Sequence, residues 1–305
     1  MVAFKDQRTF KTGFVQDKDT IWFVNQIDEI AEAGGDDSAL TRVTLSTDAA
    51  AGLNVDWGAV RAAMGPELPS CMLGIAGEII EVTPGSGRPH PESKIDDGPE
   101  GPEFRGPMRD IRWIGKHFYA AGMARQVYRR ESPGRWSRAD AGTVLKPGTK
   151  TAAGFNSIDG LTEDDIYGVG FGGEIWRCQR GKWKKLDSPT NVILARVRVV
   201  KPDLIFAVGQ QGVLLQGNGD AWKVIEHDAT DDDFWGLEWF KDLLYIASEA
   251  CLYRLTSKGA LEEVDTGESE DTKTYYDLHA HDGILLSVGP KTLLWTDGKK
   301  WHEVI

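Results

Sequence analysis

A motif repeated along the chain constrains its fold more than any other feature. Each copy has an apolar strand ending in a small residue, a tight turn, a second apolar strand, and then Gly-x-Trp or Gly-x-x-Trp. The clear copies span 118–136, 166–183, 204–222 and 285–301; a fifth, at 245–261, ends in Leu261 instead of tryptophan; two fainter ones lie at 21–30 and 72–80. Because short strands bounded by turns recur throughout, the chain is predicted to be all-β.

The spacing of the copies indicates how they assemble. The small residue that ends the first strand of each copy lies at positions 25, 74, 122, 170, 209, 248 and 289. The first and last of these are 264 residues apart, so the six intervals between them average 44 residues. A period of about 40–50 residues made of short strands is typical of β-propellers, with one four-stranded blade per period. We therefore predict a single β-propeller domain over residues 1–305, with seven four-stranded blades and six as the alternative. An irregular β-sandwich is the competing fold.

One segment interrupts the repeat. Residues 84–107, between the second and third predicted blades, are rich in proline, glycine and acidic side chains. Such a composition does not bury a core of its own, so we predict an extended, solvated loop inserted into the propeller rather than a domain boundary.

The repeats resemble those of photosystem-assembly-factor-like and bacterial-neuraminidase-repeat propellers, whose blades read approximately Val-Gly-x-x-Gly-x-Ile followed by Gly-x-Trp. The resemblance covers residues 109–305 well and 1–100 poorly, and it implies the fold; among the assembly factors it also implies a scaffold role. The neuraminidase motif Ser-x-Asp-x-Gly-x-x-Trp has only a degenerate counterpart from Thr296 to Trp301, and no triad of aligned arginines is evident. The resemblance therefore does not imply sialidase activity.

Composition narrows the class of partner and the compartment. The net charge is −12, from 47 acidic and 35 basic residues, which repels nucleic acid and anionic lipid and favours a basic protein as partner. The first twenty residues lack the apolar stretch of a secretory signal, and the three cysteines form no CxxC pair. We predict a cytoplasmic protein that binds neither nucleic acid nor membrane.

Two acidic runs, each followed at once by aromatic residues, are the candidate binding site. Both precede the predicted innermost strand of a blade, on the propeller face where binding sites commonly lie. Aromatic anchors ringed by charge are typical of protein-binding hot spots; the alternative is that the acids solvate loops and the aromatics begin core strands. The candidate residues are Asp231, Asp232, Asp233, Trp235, Glu268, Glu270, Asp271, Tyr275 and Tyr276.

No motif indicates catalysis, and we predict no catalytic residue, metal site or cofactor. We predict a non-catalytic, protein-binding propeller, in its sharpest form an immunity protein that neutralises a bacterial toxin. An assembly or scaffold factor is the first alternative. The second is a metal-dependent lactonase or lyase, for which the scattered candidates are Asp110, Asn156, Asp277, His279 and His281.

Overall fold

A computed structural model describes residues 4–66, 69–82, 88–96, 98–143, 145, 152–269 and 273–304. These residues form seven four-stranded antiparallel sheets, the blades of a β-propeller. Helical structure is confined to two short α-helices, Asp28–Glu32 and Pro102–Arg105, and two short 3₁₀ segments, Phe4–Gln7 and Phe171–Gly173. Neither α-helix is long and apolar enough to cross a bilayer.

Every blade takes its four strands from one continuous stretch of chain. Numbered in chain order, blade 1 comprises β1 Arg8–Asp17, β2 Thr20–Ile27, β3 Ser38–Thr44 and β4 Ala49–Val55; blade 2, β5 Ala59–Met64, β6 Ser70–Gly74, β7 Ile79–Val82 and β8 Pro89–Pro91; blade 3, β9 Met108–Ile114, β10 His117–Gly122, β11 Val127–Ser132 and β12 Arg135–Arg138; blade 4, β13 Phe155–Thr162, β14 Asp165–Gly170, β15 Ile175–Gln179 and β16 Lys182–Leu186. Blade 5 comprises β17 Leu194–Lys201, β18 Leu204–Gly209, β19 Leu214–Asn218 and β20 Ala221–Val224; blade 6, β21 Phe234–Phe240, β22 Leu243–Ser248, β23 Leu252–Leu255 and β24 Leu261–Glu263; blade 7, β25 Asp277–His281, β26 Ile284–Val288, β27 Leu293–Thr296 and β28 Trp301–Glu303.

The predicted fold class and the seven-blade count are confirmed. The seven small residues used to measure the repeat all lie in, or immediately after, the second strand of a blade. The reason for the recurring glycine is a close backbone approach. A Cβ added at Gly170 would lie 1.9 Å from the carbonyl oxygen of Gly154, and one added at Gly289 would lie 1.9 Å from that of Thr274.

The tryptophans of the motif also take equivalent places. Each lies at the first or second residue of the outermost strand of its blade and is half-buried rather than fully enclosed. Trp183 stacks on Phe155 with ring centroids 5.4 Å apart and donates a hydrogen bond to the carbonyl of Ala139. The tryptophan therefore ties an outermost strand to the core beside it.

The chain divides into two compact units, Met1–Ala62 with His227–Ile305 (unit 1) and Ala63–Glu226 (unit 2). In unit 1, blade 7 meets blade 1, so β1 lies beside β25, the innermost strand of the last blade. The hydroxyl of Thr12 donates to Asp277 at 2.6 Å, and the backbone N–H of Val15 donates to Nδ1 of His279 at 3.1 Å. Lys5 and Glu303 form an ion pair on the same seam.

The inserted segment, all in unit 2, differs from the solvated loop predicted from composition. Its residues 89–91, Pro-His-Pro, form β8, the outermost strand of blade 2. Proline is tolerated in such an edge strand, although it has no N–H to donate to a sheet. Further along, Ile95 is buried and Pro102 lies against Gly77.

An ionic cluster fixes the insertion to blade 3. Arg130 of β11 pairs with both Glu81 of β7 and Glu92 of the insertion, and all three side chains are at most 7% exposed. Oε2 of Glu92 also accepts the N–H of Gly134 at 2.8 Å. The sequence of the segment shows its acidic residues. Their cationic partner, Arg130, lies in another blade and could not be predicted from the segment alone.

Candidate protein-binding site

The predicted site residues that the structure describes lie in unit 1, on the two segments that lead into β21 and β25. Asp231 and Asp232 are exposed and Asp233 is half-buried, just before β21 begins. Glu268 is half-buried in the second segment. Glu270 and Asp271 lie outside the described residues.

An aromatic pair joins the two segments. The ring of Trp235, in β21, stacks on that of Tyr276, just before β25, with centroids 5.4 Å apart and planes inclined by 24°. Both side chains are half-buried. The backbone N–H of Tyr276 donates to the carbonyl of Val288 at 2.9 Å, which holds it to blade 7. Two aromatic residues from different blades thus form one continuous surface.

Glycine at position 236 allows this approach. A Cβ added to Gly236 would lie 2.7 Å from the carbonyl oxygen of Tyr276. A side chain there would push β21 away from the residue on which Trp235 stacks. The Phe-Trp-Gly sequence at 234–236 therefore supplies one core aromatic, one surface aromatic and the space that brings the second segment close.

Tyr275 has a different place from its neighbour. Its side chain is 1% exposed and belongs to a hydrophobic cluster with Leu252 and Leu278. Its hydroxyl lies 2.6 Å from that of Thr266, and burial raises its pKa. Adjacent residues of an extended segment point to opposite sides, so Tyr276 reaches the surface and Tyr275 the core. In this structure Tyr275 therefore mainly supports the site from beneath.

Two neighbouring cavities lie on this surface, and the larger one borders the aromatic pair. The larger, about 440 Å³, lies beside Trp235 and is lined by Asp232, Asp233, Glu249, Ala250, Lys273 and Thr274. The smaller, about 370 Å³, is lined by Glu263, Val264, Asp265, Thr266, Glu268, Lys273 and Tyr275. Both cavities are bordered by acids and share the aliphatic and cationic side chain of Lys273.

Lys273 is the one lysine in the lining of these two cavities. Its side chain is 9% exposed, and Nζ lies 3.2 Å from Oε1 of Glu263, whose own side chain is about half exposed. The acids therefore outnumber the cation, and a positively charged group can enter against carboxylates already at the surface. Glu249 and Glu263, which line these cavities, were not among the binding residues predicted from the sequence. Glu249 follows the last residue of β22, and mapping the turns between second and third strands onto this face would have found it.

The acids and the asparagine considered for catalysis are engaged in hydrogen bonds to other blades. Asp277 accepts hydrogen bonds from Thr12 and from Arg61, the latter at 2.9 Å. In unit 2, Asp110 accepts the N–H of Ile158 at 2.9 Å, and Asn156 donates to the carbonyl of Leu194 at 2.9 Å.

Of the two histidines, His279 is engaged in the same way. His279 accepts the N–H of Val15, so its proton resides on Nε2 when the ring is neutral. His281 is the last residue of β25 and is exposed. The candidate acids and His279 therefore serve the joints between blades.

Comparison with known proteins decides the family. The chain is 35% identical over 298 residues to the immune protein Tsi7 of Pseudomonas aeruginosa strain PAO1, which covers 96% of each chain. This chain belongs to the Tsi7 family. The relationship confirms the immunity class predicted from the sequence. No protein-family model matches the chain.

Solved structures confirm the fold. The WD40 β-propeller domain of Doa1 superposes with a TM-score of 0.71 at 10% identity, over 96% of this chain and 94% of that one. YCF48 from Cyanidioschyzon merolae gives 0.71 at 11% identity over 95% of each chain, and YCF48 bound to D1 peptide gives 0.69 at 13% identity over 95% and 91%. The predicted resemblance to photosystem-assembly-factor propellers is thus confirmed as a likeness of fold.

Proposed function

We propose that this chain is a cytoplasmic immunity protein that binds and neutralises a basic protein toxin without catalysis. The observation that carries the proposal is the relationship to an immune protein over nearly the whole length of both chains. The fold of the chain supports a binding role, because propellers present loops from successive blades as one rigid surface.

The contact surface of this proposal is the acidic rim of unit 1, meaning Asp231, Asp232, Asp233, Glu249, Glu263 and Glu268, with Trp235 and Tyr276 at its centre. The stacked aromatic pair provides apolar area whose geometry is already fixed, so little conformational entropy is lost on binding. The surrounding carboxylates would accelerate encounter with a cationic partner and orient it. The two rings would supply most of the affinity and the rim most of the association rate.

The engaged side chains of Asp110, Asn156, Asp277 and His279 support a role without catalysis. A general acid or base must be able to reach a substrate proton, whereas these groups already hold neighbouring strands together. Their arrangement favours joints between blades over a reaction centre.

The first test is protection. The protein that co-purifies with this chain from the cells that make it would be identified, expressed alone, and then expressed together with this chain. We expect growth arrest in the first case and rescue in the second. A partner that is harmless by itself, or a chain that fails to rescue, would contradict the immunity role and favour a scaffold.

The second test separates rim from anchors. Neutralising Asp231→Asn and Asp232→Asn should slow association and flatten its dependence on salt, because steering by exposed charge is screened. Trp235→Ala should mainly speed dissociation. If Trp235 is a true hot spot, the binding free energy should weaken by about 2 kcal/mol. Arg254→Ala, an exposed ion-pair residue of β23 outside both cavities, is the matched control. If both variant sets bind as the native protein does, the partner uses another surface.

A further inference from the structure

The outermost strand of blade 1 differs from those of the other six blades. Each outermost strand has a neighbour in its own sheet on one side only. In blades 2 to 7 these strands are three to five residues long, and each contains proline or a charged residue. In blade 1, β4 is seven residues long, Ala-Ala-Ala-Gly-Leu-Asn-Val, with neither.

Short length, charge and proline are the ordinary means by which exposed sheet edges are kept from pairing with other chains. Six edges of this propeller carry such protection. The β4 edge is long, uncharged and proline-free, so it lacks all three. Residues 49–52 and Asn54 are also exposed.

The backbone of β4 is regular along its whole length. It pairs with β3 from Ser38–Val55 to Thr44–Ala49 with no bulge or shift of register. In an antiparallel strand, alternate residues direct their N–H and C=O groups away from the neighbour. β4 therefore presents an unbroken row of backbone donors and acceptors on its open side, with one N–H and one C=O at every second residue.

An acidic residue stands at each end of this edge. Asp48 precedes β4 and Asp56 follows it, and both are exposed. If a second copy added antiparallel about Gly52, Asp48 of one copy would face Asp56 of the other, at both ends. Like charges placed opposite one another in a sheet are destabilising, and the net charge of −12 adds to the repulsion. The edge is thus built against its own copy and suits a strand with basic ends.

We propose that β4 is a strand-addition site for an extended segment of another protein, long enough to reach from Asp48 to Asp56, with lysine or arginine at both ends. Backbone hydrogen bonds along β4 give the affinity, as in other cases of strand addition, and pairing with Asp48 and Asp56 selects the charge. The site lies in blade 1 and shares no residue with the acidic rim, so it stands whether or not the rim binds a toxin.

The test uses a capped nine-residue peptide, Lys-Thr-Val-Thr-Val-Thr-Val-Thr-Lys, and its counterpart with glutamate at both ends. Titration into the ¹⁵N-labelled full chain should shift the amide signals of β4 and slow their hydrogen exchange with the lysine peptide. The glutamate peptide should bind about tenfold more weakly, since two attractive pairs become repulsive. No change at β4 with about 1 mM lysine peptide would overturn the proposal.

Two sets of variants make the assignment specific. The double variant Asp48→Asn with Asp56→Asn should abolish the preference between the peptides, whereas Asp231→Asn with Asp232→Asn, on the rim, should leave it unchanged. Ala50→Pro and Ala51→Pro are then compared, because one of these adjacent residues directs its N–H towards β3 and the other away. The variant that keeps its melting temperature should lose peptide binding. Equal affinity for both peptides in the native protein, or a stable β4-mediated dimer by light scattering, would overturn the proposal.

Discussion

Two acid-rich regions of this propeller are alike in composition and differ in structure. The insertion between blades 2 and 3 and the segments that lead into blades 6 and 7 are both acidic and both join one blade to the next. In the insertion, Glu92 is 4% exposed and shares Arg130 with Glu81. Before blade 6, Asp231 and Asp232 are exposed. The same residue type therefore holds the fold together in one place and stays open to a partner in the other.

The cationic partner makes the difference. Arg130 arises on β11, where the residue opposite it is Trp136 of the outermost strand. Its guanidinium lies over the ring of Phe118, 5.9 Å from the centroid, and its side chain is 7% exposed. Asp231 and Asp232, by contrast, are exposed and take part in no ion pair described with a buried cation. A buried carboxylate needs a nearby positive charge to offset the cost of its desolvation.

Arg130→Met should have the largest effect on stability. It would leave Glu81 and Glu92 buried without their counter-charge, and breaking a buried pair in this way costs about 3–5 kcal/mol. The free energy of unfolding in urea measures it. Arg129→Met is the matched control, because Arg129 is over one-third exposed and pairs with Glu131 at the surface; its cost should be about 0–1 kcal/mol. Equal costs for the two variants would show that the buried cluster is not special.

Glu81→Gln should make part of the stability independent of pH. Burial alone would raise the pKa of Glu81, but the contact with Glu92 and the charge of Arg130 hold it below its usual range. A carboxylate with a lowered pKa in the folded state stabilises above its unfolded pKa, about 4.3, and loses that contribution as pH falls through the folded value.

The native protein should therefore exceed Glu81→Gln in stability by about 1.5–3 kcal/mol at pH 7, the range for hydrogen bonds to charged groups. The gap should narrow steadily below about pH 5. Urea unfolding of both proteins across this range is the measurement, and a gap that stays constant down to pH 3 would contradict the assignment.

Neutralising the exposed acids should change stability least. Asp231→Asn with Asp232→Asn should alter the free energy of unfolding by no more than about 0.5 kcal/mol, as for surface substitutions in general. Thermal and urea unfolding both report it. A loss above about 1.5 kcal/mol would mean that these acids hold the fold as Glu92 does, and the contrast between the two regions would fail.

The sequence was sufficient for the fold because the repeat reports local geometry. A glycine such as Gly170, which has a backbone carbonyl against it, and a half-buried tryptophan such as Trp183 recur wherever a blade recurs. The acids and Trp235 with Tyr276 could be placed on one surface because each directly precedes or begins an innermost strand.

What the sequence could not show depends on contacts between distant residues. Glu92 is drawn inward by a cation 38 positions away. Tyr275 and Tyr276 differ in burial because one side of the segment faces a core built partly from β23 and β27. Composition does not distinguish Glu92 from an exposed acid or Tyr275 from Tyr276. The packing of the blades does.

The seam between blades 7 and 1 has a consequence for when the protein becomes active during its synthesis. Unit 1 consists of the two ends of the chain, and Lys5 contacts a residue 298 positions later. Blades 2 to 5 are each complete once a local stretch has emerged from the ribosome, whereas blade 1 must wait for blade 7 before the seam can form. Tyr276 is held by Val288, so the surface it makes with Trp235 is assembled near the end of translation. A chain released before Val288 would display most of a propeller without the fixed aromatic pair at the centre of the proposed toxin-binding site, and we expect it to protect poorly.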